Sequence, residues 1–138
     1  MKQGTERLLV ATRRGLTDVT HRVRDTVRAS GIRHGLCTVF IRHTSASLVI
    51  QENADPAVLA DLEAFLARLV PEGDALYTHR AEGDDDMPAH VRSALTRTSE
   101  QVPVQGGDLA LGTWQALYVW EHRRGSRRRE LLVHVIGD

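Results

Sequence analysis

Apolar residues recur along this chain with two different periods. From Gly35 to His43 successive side chains alternate between two faces, which predicts a β-strand. One face of this strand carries Cys37, Val39, Ile41 and His43. Shorter patterns of the same kind predict further strands at Arg7–Thr12, Leu16–Val19, Ser47–Gln51, Gln101–Val104, Thr113–Glu121 and Glu130–Ile136.

Three other segments repeat apolar residues at spacings of three and four, which predicts amphipathic helices. They are Thr20–Ala29, Asp55–Val70 and Pro88–Arg97. Thr20 is a suitable N-cap for the first helix, and Gly31 is a suitable stop. The second helix has the clearest boundaries. Asp55 suits the N-cap, Pro56 suits the first helical position because its missing N–H would be unpaired there, and Pro71 ends the run.

Strands and helices that do not alternate in a regular βαβ order predict an α+β fold with a mainly antiparallel sheet. The chain has 138 residues and no internal repeat, linker or low-complexity tract. We therefore expect a single domain over residues 1–138.

The charge balance narrows the function. Eighteen Lys and Arg residues match eighteen Asp and Glu residues, so no net field favours nucleic acid or an anionic membrane. Lys2 is the only lysine, which excludes a lysine Schiff base or a lysine-headed phosphate loop beyond the N-terminus. No segment resembles a signal peptide or a membrane span, so we expect a cytoplasmic protein. The single cysteine, Cys37, lies in an apolar run and is interpreted as a buried structural thiol.

Three stretches are polar where a plain structural element would be apolar. They are His43–Pro56, Glu82–His90 and Leu111–Gln115. Each places His, carboxylate, amide or hydroxyl groups near the end of a predicted element, where scaffolds usually present reactive groups. We therefore expect one shared site built from all three.

Three histidines are the candidate metal ligands. His43, His79 and His90 could supply three nitrogens and leave a position open for water or substrate, although their spacing matches no compact metal motif. His90 is predicted in the first turn of its helix, where the dipole favours the neutral ring that binds metals. For His43, a satisfied core histidine is the alternative.

The acidic run Asp84–Asp86 allows two interpretations. Acids before a helix complement its dipole, and a solvated loop would explain them. Adjacent carboxylates repel each other, however, so the run is unfavourable unless a hard cation such as magnesium offsets its charge. The hydroxyl run Thr44–Ser47 is equally open, because it suits either an anion or a self-bonded turn. Asp55 is explained by its N-cap role, whereas Asn53 suits either a ligand or a neighbouring loop.

The predicted strand Thr113–Glu121 carries most of the aromatic residues on one face. These are Trp114, Tyr118 and Trp120, with His122 following if the strand continues. We interpret this face as packing between sheets or between subunits. The arginine-rich segment Arg123–Arg129 is interpreted as a solvated hairpin turn, with phosphate capture as the alternative.

Five sequence blocks resemble the YjbQ-like family, whose members are often described as secondary thiamine-phosphate synthases. The blocks are His43–Ala46, Glu52–Pro56, His79, Gly83–Asp85 leading to Ala89-His90, and Leu111–Gln115. The resemblance implies a compact α+β domain with a β-sandwich-like sheet, a homotrimer, and the three histidines near a metal or anion site. Family members often carry phenylalanine at the position of His122, so no essential role is implied for it.

The activity that gives the family its name is a weak or secondary one, in which a pyrimidine pyrophosphate is joined to a thiazole phosphate and pyrophosphate is expelled. It requires a cation to neutralise the leaving group and donors around it. The resemblance therefore implies a metal-dependent transferase with a small phosphorylated substrate and a divalent metal, zinc or magnesium. The expected site residues are His43, Ser45, Asn53, Asp85, His90 and Gln115, with His43, His79 and His90 on the metal. A non-catalytic oligomer that binds a small molecule or phosphate in the same pocket is the alternative.

Overall fold

The computed structural model describes the whole chain, Met1–Asp138. Eight strands and three helices follow one another in the order β1 (Lys2–Thr12), β2 (Gly15–Asp18), α1 (Thr20–Ser30), β3 (His34–Ile41), β4 (Ala46–Glu52), α2 (Pro56–Leu69), α3 (Asp86–Leu95), β5 (Ser99–Gln105), β6 (Asp108–Leu109), β7 (Gln115–Glu121) and β8 (Arg127–Gly137). All paired strands are antiparallel, which confirms the predicted α+β fold with a mainly antiparallel sheet.

The strands form two sheets that pack face to face. The larger sheet has the order β1-β8-β3-β5-β6, and the smaller has the order β2-β7-β4. The main core lies between them, where Cys37, Val39 and Ile41 of β3 share one cluster with Leu117 and Val119 of β7. Helix α1 adds Val23 and Val27 to the same core. Burial raises the pKa of the Cys37 thiol to about 11, as expected for a structural thiol.

The second face of the smaller sheet is covered by helices. Trp120 of β7 packs with Leu66 and Val70 of the α2 region, and its indole N–H donates to Glu63. Tyr118 is also buried and donates its hydroxyl to the Glu52 carbonyl. Both side chains are thus buried within one chain, and Trp120 packs against α2 rather than between the two sheets. Only Trp114 remains largely exposed.

The helix boundaries show where local sequence signals hold. Helix α2 begins as predicted, with the Asp55 carboxylate accepting the Ala57 N–H at 2.9 Å. Helix α1 ends at Gly31, whose φ of 71° is readily adopted by glycine. Its start differs from the prediction, because the Thr20 N–H donates to Asp18 while the Thr20 hydroxyl binds the backbone of β7.

Helix α3 begins at Asp86, two residues before the predicted start at Pro88. Proline is tolerated in this first turn because the N–H that it lacks would have no intrahelical partner. The earlier start moves Asp86 into the helix. Asp86 and His90 therefore belong to the same helix.

The outer face of the larger sheet carries apolar side chains and has no element packed over it. Registered pairs on this face include Leu36 with Ile136 and Phe40 with Leu132. Phe40 is 43% exposed, and the other three side chains are half-buried. No helix of the chain has both the length and the apolar character required to cross a membrane.

Candidate functional site

A cluster of two histidines and one carboxylate lies at the start of α3. Asp86 and His90 are four residues apart, so the helix places both on one face. The loop before α3 adds His79. The Asp86 Oδ2 atom lies 2.6 Å from His79 Nε2 and 3.3 Å from His90 Nε2. One potential ligand atom from each residue falls within 4.8 Å of the other two, a spacing that one metal ion could span.

The orientation of His90 is fixed by the hydroxyl-rich loop. Its Nδ1 lies 2.9 Å from the Thr44 carbonyl oxygen, which can only accept, so Nδ1 carries a proton. In the neutral ring, Nε2 then presents its lone pair to the Asp86 carboxylate. Two lone pairs in contact require a cation between them, either a second proton on the ring or a metal ion. Metal-bound histidines commonly donate their other N–H to a carbonyl in this way.

Arg123 is the electrostatic counterpart of the acidic pair. It follows β7, and its guanidinium donates from Nε to Asp85 and from Nη1 to Asp86, each at 2.9 Å. The Arg124 N–H also donates to Asp85. Burial alone would raise the pKa of Asp85, but these donors outweigh it and lower the pKa to about 2. Burial would also raise the pKa of Asp86, but the His79 hydrogen bond and Arg123 outweigh it and lower that pKa.

The structure does not bring His43 into this cluster. His43 Nε2 accepts the Glu130 N–H at 2.7 Å, and its Nδ1 faces Arg129. The third potential ligand is Asp86, which in the sequence is one member of the acidic run Asp84–Asp86. The signal that could have identified it is the Asp86–His90 spacing of four residues, which requires the helix to begin before Pro88.

A buried polar network lies beneath the loop that holds His90. Glu121 is fully buried and accepts from Arg129 Nε at 2.7 Å and from the Thr12 hydroxyl at 2.6 Å. Arg129 also donates to the Ser45 carbonyl and hydroxyl oxygens. The interpretation of the arginine-rich segment as wholly solvated is therefore wrong, because Arg123 and Arg129 are both held by buried carboxylates.

His122 belongs to this buried network. It is fully enclosed, its Nε2 lies 2.9 Å from the Ser47 hydroxyl, and its ring packs against Trp120. Burial and the nearby Arg92 lower the His122 pKa to about 3. His122 is therefore neutral and inaccessible to substrate.

Asn53 and Gln115 lie at the other end of the smaller sheet. Gln115 pairs with Glu52 at one end of β4, whereas Ala46 pairs with Glu121 six residues away, a separation of roughly 20 Å. The Asn53 amide donates to the Thr113 and Gln115 carbonyls, and the Gln115 side chain accepts the Gly112 N–H. Both amides therefore hold the local loop. The expected single site divides into two groups.

A cleft of about 240 Å³ opens beside the histidine cluster. His79 lines it together with Tyr77, Arg80, Asp84 and Met87. Because His79 also contacts Asp86, an ion held by the cluster would be reached from this cleft. The space suits a small group rather than a polymer.

Comparison with known proteins agrees with the sequence blocks. The family model for UPF0047 protein YjbQ-like matches residues 6–138. The chain belongs to the YjbQ-like UPF0047 family. It is 54% identical to the UPF0047 protein sll1880 of Synechocystis sp. over 99% of this chain and 94% of that protein. It is 39% identical to the UPF0047 protein YjbQ of Salmonella typhimurium, over 91% of each chain.

Solved structures of YjbQ-like proteins have the same fold. A YbjQ-like protein of unknown function from Sulfolobus solfataricus matches with a TM-score of 0.88 and 26% identity, over 99% of both chains. A YjbQ/UPF0047 family protein from Clostridium acetobutylicum matches with a TM-score of 0.86 and 34% identity, over 95% of this chain and 99% of that one. The family and the fold are thus established together.

Proposed function

We propose that this YjbQ-like protein is a metal-dependent enzyme that acts on a small phosphorylated substrate. The observation that carries the proposal is the His79–Asp86–His90 cluster, in which the Thr44 carbonyl turns His90 Nε2 toward the Asp86 carboxylate. Two imidazoles and one carboxylate suit zinc better than magnesium, which prefers oxygen ligands. Three protein ligands also leave a coordination position for substrate, as catalytic zinc sites do.

The surrounding residues have distinct roles in this proposal. Bound zinc would act as a Lewis acid that neutralises charge on a phosphate or pyrophosphate oxygen. Arg123 holds Asp85 and Asp86 in place. Its positive charge offsets theirs and keeps both carboxylates ionised. The adjoining cleft, with Tyr77 and Arg80 on its wall, receives the rest of the substrate.

The finer proposal concerns the reaction. The family resemblance supports transfer chemistry on a phosphorylated heterocycle, with thiamine-phosphate formation as a secondary activity. In this scheme a pyrimidine pyrophosphate and a thiazole phosphate are joined and pyrophosphate leaves. His90 and Asp86 contribute to the metal site, and Asp85 acts through Arg123 rather than directly on the substrate.

Metal analysis tests the first part of the proposal. Purified protein should contain about one zinc per chain, and Asp86→Asn and His90→Ala should lose it, because each removes one of three ligands. His21→Ala is the matched control, since that histidine is largely exposed and lies on α1. A metal content that is the same in all four proteins, or absent from the wild type after zinc loading, would contradict the proposal.

Pyrophosphate release tests the reaction. It is measured from the pyrimidine pyrophosphate, with and without thiazole phosphate, in wild type, Asp85→Ala and His90→Ala. We expect slow release in the wild type that depends on the thiazole phosphate, and at least about tenfold less in His90→Ala. Equal rates in all three proteins would mean that the activity is background.

A non-catalytic oligomer that binds a small molecule remains the second candidate function, and the uncovered apolar sheet face favours its oligomeric part. We propose that the chain assembles as a homotrimer, as the resemblance implies, through the face that carries Phe40 and Leu132. Sedimentation equilibrium at micromolar concentration checks this assembly. Zinc binding without turnover of any phosphorylated substrate would favour the binding function over the enzyme.

A further inference from the structure

The two ring nitrogens of His43 make different contacts. Nε2 lies 2.7 Å from the Glu130 backbone nitrogen, and a backbone N–H can only donate, so Nε2 presents its lone pair. An imidazolium has no lone pair, so the ring that accepts the Glu130 N–H is neutral. Burial and the nearby Arg129 lower the pKa of His43, in the direction that favours the neutral ring. A neutral ring with a lone pair on Nε2 carries its proton on Nδ1. His43 Nδ1 is therefore a hydrogen-bond donor.

The Nδ1 atom faces another donor. Arg129 Nη1 lies 3.4 Å from it, and a guanidinium has no acceptor atom, so no hydrogen bond joins the two groups. Arg129 is 7% exposed, and its Nε and Nη2 atoms are occupied by Glu121 and Ser45. The Nη1 group has no other partner in the chain. Two donors thus converge without an acceptor, and leaving such groups unpaired is unfavourable.

Ser45 adds a third donor at the same place. Its hydroxyl oxygen accepts from Arg129 Nη2 at 3.0 Å, and its own proton has no acceptor in the chain. His43 is half-buried and Thr44 is exposed, so a ligand can reach this point from solvent. An imidazole N–H, a guanidinium N–H and a hydroxyl without an acceptor among them suit an oxyanion.

We propose that His43, Ser45 and Arg129 form an oxyanion subsite that binds a phosphoryl group. The subsite lies beside the metal cluster, because Thr44, between two of its residues, supplies the carbonyl that holds His90. This inference rests on the proposed function for the nature of the substrate. It assigns His43 to the phosphoryl group instead of the metal, and it makes Arg129 a substrate-binding residue.

The local charges determine the mode of binding. The charged groups that act on His43 are Arg129 and Arg42 on the positive side, and Glu121 and Glu130 on the negative side. They balance, so the oxyanion is held by hydrogen bonds rather than by a net field. Phosphate binding should therefore depend only weakly on salt concentration.

The first test uses the wild-type protein without zinc, so that it does not depend on the metal site. The protein is labelled with ¹⁵N-histidine and titrated with inorganic phosphate while the His43 ring nitrogens are followed by NMR. We expect the Nδ1 signal to be that of a protonated nitrogen, and to shift with added phosphate at lower concentration than with acetate. A lone pair on Nδ1, a signal that phosphate does not move, or an equal response to acetate would overturn the assignment.

Substitutions provide the second test. His43→Ala and Ser45→Ala should each weaken phosphate binding by about tenfold or more, the usual effect of losing one charge-assisted hydrogen bond. Arg128→Ala is the matched control, because Arg128 is adjacent to Arg129 on β8 but exposed. This variant should bind phosphate with the same affinity as the wild type. Equal affinity in all four proteins would overturn the subsite.

The two proposals fail in different ways. Both binding measurements are made on the wild-type protein, zinc by metal analysis and phosphate through the His43 ring nitrogens of the zinc-free form. Loss of zinc binding in the wild type with phosphate binding intact would refute only the proposed function. Zinc binding without a phosphate response at His43 would refute only the subsite.

Discussion

The ion pair between Asp85 and Arg123 should be a measurable part of the protein's stability. Folding lowers the Asp85 pKa from 3.8 to about 2, even though burial acts in the opposite direction. This is nearly two pKa units, and each is worth about 1.4 kcal/mol, so the ionised carboxylate contributes about 2 kcal/mol to the free energy of unfolding. Asp85→Asn, which keeps the shape but removes the charge, should lose about this amount at pH 7.

The sign of the effect fixes its pH dependence. Because the pKa is lower in the folded state, the contribution is complete above the unfolded value of 3.8 and is lost as the pH falls through about 2. The difference between wild type and Asp85→Asn should therefore be constant from pH 7 to about pH 5 and should narrow steadily towards pH 2.

The assay is urea unfolding followed by circular dichroism at one fixed protein concentration, since an assembled protein gains apparent stability with concentration. Asp84→Asn is the matched control, because Asp84 is the exposed neighbour of Asp85. It should change the free energy of unfolding by less than about 0.5 kcal/mol. The reasoning would be refuted if the two variants were equally stable, or if the deficit of Asp85→Asn persisted undiminished at pH 2.

Three further outcomes follow from the contacts described above. Glu121→Gln should lower the free energy of unfolding by about 3–5 kcal/mol in the same assay, because it leaves the Arg129 charge buried without its partner. Asn53→Ala should lose about 1–2 kcal/mol through its two hydrogen bonds to carbonyls, yet bind zinc like the wild type, because it lies at the opposite end of β4. Phe40→Asp should abolish the proposed trimer in sedimentation equilibrium, whereas an assembly that persisted in this variant would place the interface elsewhere.

Signals confined to neighbouring residues allowed much of the fold to be predicted. Asp55 and Pro56 specify the start of α2 by capping chemistry, and the apolar period places the core strands correctly. The first half of β1 was missed because Lys2–Thr5 is polar, and its pairing depends on β8, more than 100 residues away. Pairing between strands so far apart in the sequence cannot be predicted from a short segment of either strand.

The site was only partly predictable for a related reason. The acidic run and His90 were identified, but their relation to each other depends on where α3 begins, and Pro88 suggested a later start. Asp85 and Asp86 are paired with Arg123, which is 38 residues from Asp85 in the sequence. A run of arginines after a strand gives no indication of which members turn inward.

The connection between β7 and β8 therefore has a larger role than its exposed arginines suggest. Glu121 accepts both the Arg123 N–H and the Arg129 guanidinium, so one buried carboxylate fixes the two arginines that would serve the proposed metal site and the proposed oxyanion subsite. A change at Glu121 should then weaken zinc and phosphate binding together, whereas Asp86→Asn should affect zinc alone. Because the two sites share a support but no ligand, this pattern would distinguish loss of the support from loss of a ligand. If Glu121→Gln weakened the binding of zinc or of phosphate but not of both, the arginines would be positioned by other contacts.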